Sequence, residues 1–363
     1  DVLCNGGNSG TATALASGGT SGYTYLWSTG SATATTSSLS AATYTVTATD
    51  ANGCTVSTTV TISEPSLLSV AISSTADVLC NGGNSGSATA LANGGTSGYS
   101  YQWSSGSSMA TASSLAVGSY TVTATDANGC TATNVAVINE PTLLVVTIPS
   151  STNVLCNGGS SGSATALATG GTVGYSYQWS SGSSSAIASS LSSNTYTVTA
   201  TDANGCTASN TTVISEPTLL TVSITAITDE LCFGASTGTA TALASGGTSG
   251  YSYQWSSGNL TASASSLAAG TYTVTATDAN GCTATTTATI SEPTLLTVSI
   301  SATSNVLCNG ASSGSATALA LGGTLGYTYQ WSSGSITSTA SSLSANTYTV
   351  TATDANGCTF SRS

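Results

Sequence analysis

The chain has 363 residues with no Lys, no His, one Arg and 13 acidic side chains, so its net charge is −12 and its pI near 4.1. Nucleic acid and anionic membrane are therefore poor partners, because holding phosphates needs clustered Lys or Arg. Catalysis is not expected either, since neither His nor Lys is available as a general base to activate the abundant serines.

Only 4% of the residues are charged and 6% aromatic, a composition that would suit a disordered stalk. Against disorder stands the fixed phase of the apolar residues. Cys4, Cys80, Cys156, Cys232 and Cys308 recur at one constant interval, and Trp27, Trp103, Trp179, Trp255 and Trp331 recur at the same one. A unit of that length, about 76 residues, can be a small domain, whereas solenoid units run to about 20 to 50 residues. The units are 1–65, 66–141, 142–217, 218–293 and 294–363. The first lacks the apolar segment found before the cysteine elsewhere, and the last stops before its final strand is complete, so further copies of the repeat are expected as neighbours in a longer chain.

Within the second unit, Leu67 to Ile72 reads as a strand, followed by Asp77-Val78-Leu79-Cys80 and the turn Asn81-Gly82-Gly83-Asn84-Ser85-Gly86. That turn lacks the Lys-Ser/Thr ending of a phosphate loop. Ser87 to Ala92 is the next strand, and Tyr99, Tyr101 and Trp103 then share one face of a third, where immunoglobulin-like sandwiches place a core Trp. Met109 to Leu115 is a weaker strand. Leu115 to Tyr120 has the spacing of a tyrosine corner. The central strand Tyr120-Thr-Val-Thr-Ala-Thr alternates at period two, and Asp126-Ala-Asn-Gly supplies the reversal, with positive φ expected at Asn128 and Gly129. Val135 to Ile138 returns, and Glu140-Pro141 closes the unit. Trp27, Trp103, Trp179, Trp255 and Trp331 with Tyr44, Tyr120, Tyr196, Tyr272 and Tyr348 form the expected core. Seven or so strands per unit and no helix imply an all-β chain, a tandem array of five immunoglobulin-like Greek-key β-sandwich domains forming an extended rod.

The ten cysteines show no Cys-x-x-Cys pair and have no His beside them, so disulfides rather than zinc are expected, and with them an extracellular setting. Three registers are open: within a unit (Cys80 with Cys130), across a boundary (Cys54 with Cys80), or between successive domains (Cys80 with Cys206). Loop entropy depends only logarithmically on length and barely separates them. The within-unit pairing is favoured because so small a core needs its own staple, giving Cys4–Cys54, Cys80–Cys130, Cys156–Cys206, Cys232–Cys282 and Cys308–Cys358. If Cys80 instead ends the first strand of an ordinary sandwich, it lies at the opposite pole from Cys130 and its bond reaches the next domain. No resident cofactor is implied. Asp126, Asn128 and Glu140 are weak calcium candidates, weighed against the simpler reading that Asp126 and Asn128 hold the turn.

Cys-Asn-Gly-Gly, the Gly-Gly-Thr before Tyr-x-Tyr-x-Trp, the Leu-x-x-x-x-Tyr-Thr-Val-Thr corner, Asp-Ala-Asn-Gly-Cys and Ile-x-Glu-Pro together resemble the SprB-type repeat of very large Bacteroidetes surface adhesins, including those of gliding motility. The match runs through every unit. Gly22-Tyr23 and its equivalents depart from the Pro-Tyr common in that family. The resemblance implies export by the type IX system, display at the bacterial cell surface as a filament, and no catalysis by the repeats. Function is then that of a stiff stalk whose lateral filament partners and ligand the resemblance leaves unspecified. The rival is a multivalent module in which the repeats themselves grip polysaccharide.

Overall fold

The computed structural model describes residues 1–363, all of them in strands and connecting loops. The chain forms two compact bodies. One comprises Asp1–Pro149, Ala166–Ala186 and Thr197–Thr211; the other comprises Ser150–Thr165, Ile187–Tyr196 and Thr212–Ser363.

In the first body the opening repeat has strands β1 (Gly10–Thr13), β2 (Thr24–Trp27), β3 (Thr35–Leu39), β4 (Ala42–Thr49) and β5 (Thr55–Ile62). The second repeat is complete: β6 (Ser69–Ala76), β7 (Gly86–Asn93), β8 (Ser100–Trp103), β9 (Thr111–Leu115), β10 (Gly118–Thr125) and β11 (Thr131–Ile138). It has six strands rather than the seven or so expected, and these six correspond to the segments that read as strands in the sequence. Strands β6, β7 and β9 form one antiparallel sheet, and β8, β10 and β11 the other. Three facing three in this order is the strand partition of an immunoglobulin-type sandwich. The fourth repeat, in the second body, repeats it with Thr221–Thr228, Gly238–Ser245 and Ser263–Leu267 against Ser252–Trp255, Gly270–Thr277 and Thr283–Ile290.

The core follows from the period-two pattern. Along β7, Ala88, Ala90 and Ala92 face inward and Leu91 faces solvent. Small inward residues on one sheet make room for the indole from the other, and Trp103 is 1% exposed among Leu115, Val122, Ala124 and Ile138. Its Nε1–H donates to the Met109 carbonyl at 3.0 Å, which satisfies the one polar atom the indole carries inside. The expected corner is present. The Tyr120 hydroxyl donates to the Ala116 carbonyl at 3.1 Å, and Tyr44, Tyr196 and Tyr272 reach Ser40, Ser192 and Ala268 in the same way. Of these corner tyrosines Tyr196 is buried and the rest are half-buried.

Two backbone features let the sheets close. Ser114 sits at φ 56°, a left-handed conformation that costs a non-glycine residue energy, and it is followed by the buried Leu115; a serine holds this place in every repeat. Opposite, the register shifts between Gly86 and Ala88. A Cβ on Gly86 would lie 2.7 Å from both the Leu115 carbonyl oxygen and the Ile138 Cγ2, so only glycine fits there.

The hairpin between β10 and β11 is wider than a two-residue Asn-Gly turn. Residues 126–130 form the loop, Gly129 N–H donates to the Asp126 carbonyl at 3.0 Å, and only Gly129 adopts positive φ, at 85°. Asn128, expected at positive φ, remains at negative φ.

Candidate functional site: the inter-repeat junction

Asp126 organises one pole of the second repeat. Its Oδ1 accepts the backbone N–H groups of Asn128 and Cys130, each at 2.9 Å, and its Oδ2 accepts that of Thr96 at 2.9 Å. The last bond ties the hairpin to the loop between β7 and β8, where Gly95 at φ 63° makes the close approach possible. The N–H of Thr96 above all, with those of Cys130, Asn128 and Gly129, holds the Asp126 carboxyl below its usual range against the opposing effect of burial. Asp50, Asp202 and Asp278 are lowered by the equivalent N–H groups. At Asp354 burial pushes upward most strongly, and the four N–H groups together outweigh it.

The sign of the pH effect follows. A carboxyl whose folded pKa is depressed stabilises the fold above its unfolded value, near 3.9, and that contribution is lost as pH falls through the lower folded value. The melting temperature is expected to be flat from pH 7 to about 5 and to fall progressively below about 4. Asp126→Asn should flatten the acid limb of the second repeat alone. An acid limb in that repeat unchanged by Asp126→Asn would show that other carboxyls carry the effect.

Beyond its own hairpin, the pole reaches the preceding repeat. Asn128 Nδ2 donates to the Leu3 carbonyl at 3.0 Å and to Thr96 Oγ1 at 2.9 Å. Asn204 bridges to Leu79, Asn280 to Leu155 and Asn356 to Leu231, each at 3.0 Å. Next to each asparagine contact lies a disulfide: Cys4–Cys130, Cys80–Cys206, Cys156–Cys282 and Cys232–Cys358, all with sequence separation 126.

The within-unit pairing is thereby corrected. Cys80 is not bonded to Cys130, nor Cys4 to Cys54, Cys156 to Cys206, Cys232 to Cys282 or Cys308 to Cys358. The reason is topological: β6 runs away from the hairpin pole, so the loop after it, which carries Cys80, lies at the far pole and meets the hairpin of the next repeat. Cys54 and Cys308 are exposed thiols, and partners at the same separation would fall outside residues 1–363.

The chain segment joining repeats is pinned at each residue. Asn139 N–H donates to Asp77 Oδ1 at 2.8 Å. Glu140 Oε2 accepts from the N–H of Gly82 at 2.6 Å, and the Pro141 carbonyl accepts from Asn81 Nδ2 at 3.0 Å. The Thr142 carbonyl takes the N–H of Gly171, from the following repeat, at 2.8 Å. These contacts fix the calcium candidates in place. Asp126 and Asn128 lie at one end of β11 and Glu140 at the other, about 26 Å of strand away, so the three are not brought together. Three N–H groups aimed at the Asp126 carboxylate also present the wrong polarity to a cation. The alternation of Asp77 with Asn153 is explained as well, since Asn153 Oδ1 accepts from Ser215 N–H at 3.0 Å in the same role.

Sequence reasoning missed the bridging asparagine and the buried Glu230. The first left no signal beyond the fixed Asn-Gly-Cys triplet. The second was visible as an acidic residue in the column otherwise occupied by Val2, Val78, Val154 and Val306.

The SprB repeat model matches residues 1–32, 72–108, 148–184, 224–260 and 300–336, once in every repeat and in the same phase. The chain carries five SprB repeats. These SprB modules are those of cell-surface adhesins, and their four disulfides agree with an extracellular setting. No curated protein matches the chain. Among solved structures, the SprB array is similar to three N-terminal domains of the highly immunogenic outer capsid protein (Hoc) of bacteriophage RB49, at 16% identity and TM-score 0.32, covering 62% of this chain and 99% of that one. It is also similar to the N-terminal eight immunoglobulin domains of Down syndrome cell adhesion molecule, at 14% identity and TM-score 0.27 over 99% of this chain and 58% of that one. A third likeness is the protocadherin γB4 extracellular domain, at 11% identity and TM-score 0.26 over 98% and 80%. No helix is long and apolar enough to cross a membrane.

Proposed function

We propose that the chain is a segment of the stalk of a large bacterial cell-surface adhesin, a stiff non-enzymatic spacer between adhesive ends, of the kind carried by gliding filaments exported through the type IX system. The observation that supports a spacer is the junction. Asn139, Glu140, Pro141 and Thr142 each make a hydrogen bond, leaving no free linker in which successive repeats could swivel. Pro141 further fixes its own φ. Repetition of one module serves length rather than chemistry.

Small-angle scattering tests this reading. Five sandwiches of roughly 35 to 40 Å each, from strands of about 26 Å plus loops, should give a maximum dimension near about 180 Å with the profile of a rod. A freely jointed or compact profile would refute the stalk.

A further inference from the structure

The disulfides connect the chain in a way that backbone order conceals. Each bond joins cysteines at a sequence separation of 126, from the loop after the first strand of one repeat to the hairpin of the next. From that hairpin cysteine a short stretch of chain leads on to the next loop cysteine, as from Cys130 to Cys156 or from Cys206 to Cys232. Two covalent lines result. One runs Cys4, Cys130, Cys156, Cys282, Cys308; the other runs Cys54, Cys80, Cys206, Cys232, Cys358, with chain segments and disulfides alternating along both. The longer segments, from Cys4 to Cys54, Cys80 to Cys130, Cys156 to Cys206, Cys232 to Cys282 and Cys308 to Cys358, cross between the two lines.

We propose that this connectivity makes the protein a strain-limited tether: two cross-linked covalent rails that neither unfolding can lengthen much nor a single cut sever. The proposal goes beyond the spacer reading and stands on the disulfide register, whatever the adhesin binds.

Three distances set how far the array can lengthen. Each rail advances two repeats for one short stretch, such as Cys130 to Cys156, and one disulfide with a Cα–Cα step of 5.7 Å. Fully extended, that stretch of about 26 residues spans at most roughly 85–95 Å. Two folded repeats occupy roughly 70–80 Å, so complete unfolding adds little. Without disulfides the whole chain of two repeats, about 152 residues, would extend to roughly 500–550 Å. The rail segment is, moreover, already extended when folded. Between Cys130 and Cys156 it consists of β11 (Thr131–Ile138), the pinned junction and the strand Val145–Thr152. Tension therefore enters chain that has almost no slack to give.

Severance is limited by overlap of the loops. Any peptide bond between Cys4 and Cys358 lies inside at least one of the four disulfide loops, and those of the three inner crossing segments, Cys80 to Cys130, Cys156 to Cys206 and Cys232 to Cys282, lie inside two. Within-unit bonds would instead leave the junction around Pro141 unspanned, which makes that point the place to cut.

The full chain has a single methionine, Met109. A Met109→Leu, Thr142→Met double variant moves the only cyanogen bromide site into the junction, at an exposed residue. After the thiols of Cys54 and Cys308 are blocked by alkylation, cleavage in denaturant should leave one 35.0 kDa species that separates into two pieces only on reduction with a phosphine. Two pieces without reduction would overturn the rails, and Thr218→Met in place of Thr142→Met repeats the test one junction on. In the unaltered chain, pulled by tags at its two ends in an optical trap, the shortest covalent path from Cys4 to Cys358 uses three disulfides and the segments Cys130 to Cys156 and Cys232 to Cys282. With about 76 residues on that path, its unfolded contour should be about 280 Å when oxidised and about 1,200 Å after reduction, roughly a fourfold gain. An oxidised contour above about half the reduced one would likewise refute the proposal.

Discussion

Replacing Trp103 by alanine is expected to destabilise the second repeat by about 3 to 5 kcal/mol, enough to unfold it while its neighbours stay folded. The core of a domain of this size rarely supplies more than about 3 to 5 kcal/mol, so the loss takes up the whole margin. The effect falls at the upper end for large-to-small changes because the indole has no neighbours able to collapse into its place. Ala88, Ala90, Ala112 and Ala124 around it are buried and already minimal, and they sit on paired strands that hold the two sheets apart. The Met109 carbonyl also loses the Nε1–H donor that it accepts at 3.0 Å. Hydrogen exchange read by mass spectrometry separates the repeats by peptide. Amides of β7, β10 and β11 should exchange within the dead time in Trp103→Ala, while those of Gly238–Ser245 and Gly270–Thr277 in the fourth repeat keep their protection. Unchanged protection across β10 would mean that the sandwich does not depend on the indole.

The strands, the Trp and Tyr positions and the hairpin were legible because each rests on local information: a period of two, a fixed offset from a leucine, an Asx residue ahead of Gly129. Junction chemistry was only half legible. Glu140-Pro141 marks the boundary in sequence, yet the partners of Glu140 and Pro141, Gly82 and Asn81, lie 58 and 60 residues back, and no pattern announces a bond across that span. The disulfide register failed for a related reason. Closing the shorter within-unit loop or the longer one between repeats differs only by a logarithm, so entropy could not choose, and the need of a small core for its own staple pointed the wrong way. What decides is the pole at which the loop after the first strand emerges. That follows from strand direction in an immunoglobulin-type sandwich, and it places Cys80 beside Cys206 and far from Cys130. Stapling between repeats therefore serves connection of the array, while each core relies on its Trp and on the Asp126 turn.

Glu230→Val should stabilise the fourth repeat by about 1 to 3 kcal/mol. Glu230 is 4% exposed, in the column where Val78 and Val154 are each 3% exposed, and neither of its carboxylate oxygens has a hydrogen-bond partner. Burying a polar group without a partner forfeits its hydration, more so if the group is charged. The backbone gives no compensation: Glu230 N–H donates to the Ser291 carbonyl at 3.0 Å just as Val78 N–H donates to that of Asn139 at 2.9 Å, so valine would keep this bond and add apolar contact. The same loop carries a second departure, since Phe233 replaces the asparagine whose Nδ2 holds Pro141 in the second repeat. The fourth repeat is thus expected to open first, and its loop holds Cys232, bonded to Cys358. Hydrogen exchange of Thr221–Thr228 and Gly238–Ser245 should slow in Glu230→Val to the level of the equivalent strands of the second repeat, and the reciprocal Val78→Glu should speed exchange in β6 and β7. Equal exchange of the fourth repeat in both forms would show that the carboxylate finds a partner in solution, and that the valine column tolerates an acid at no cost.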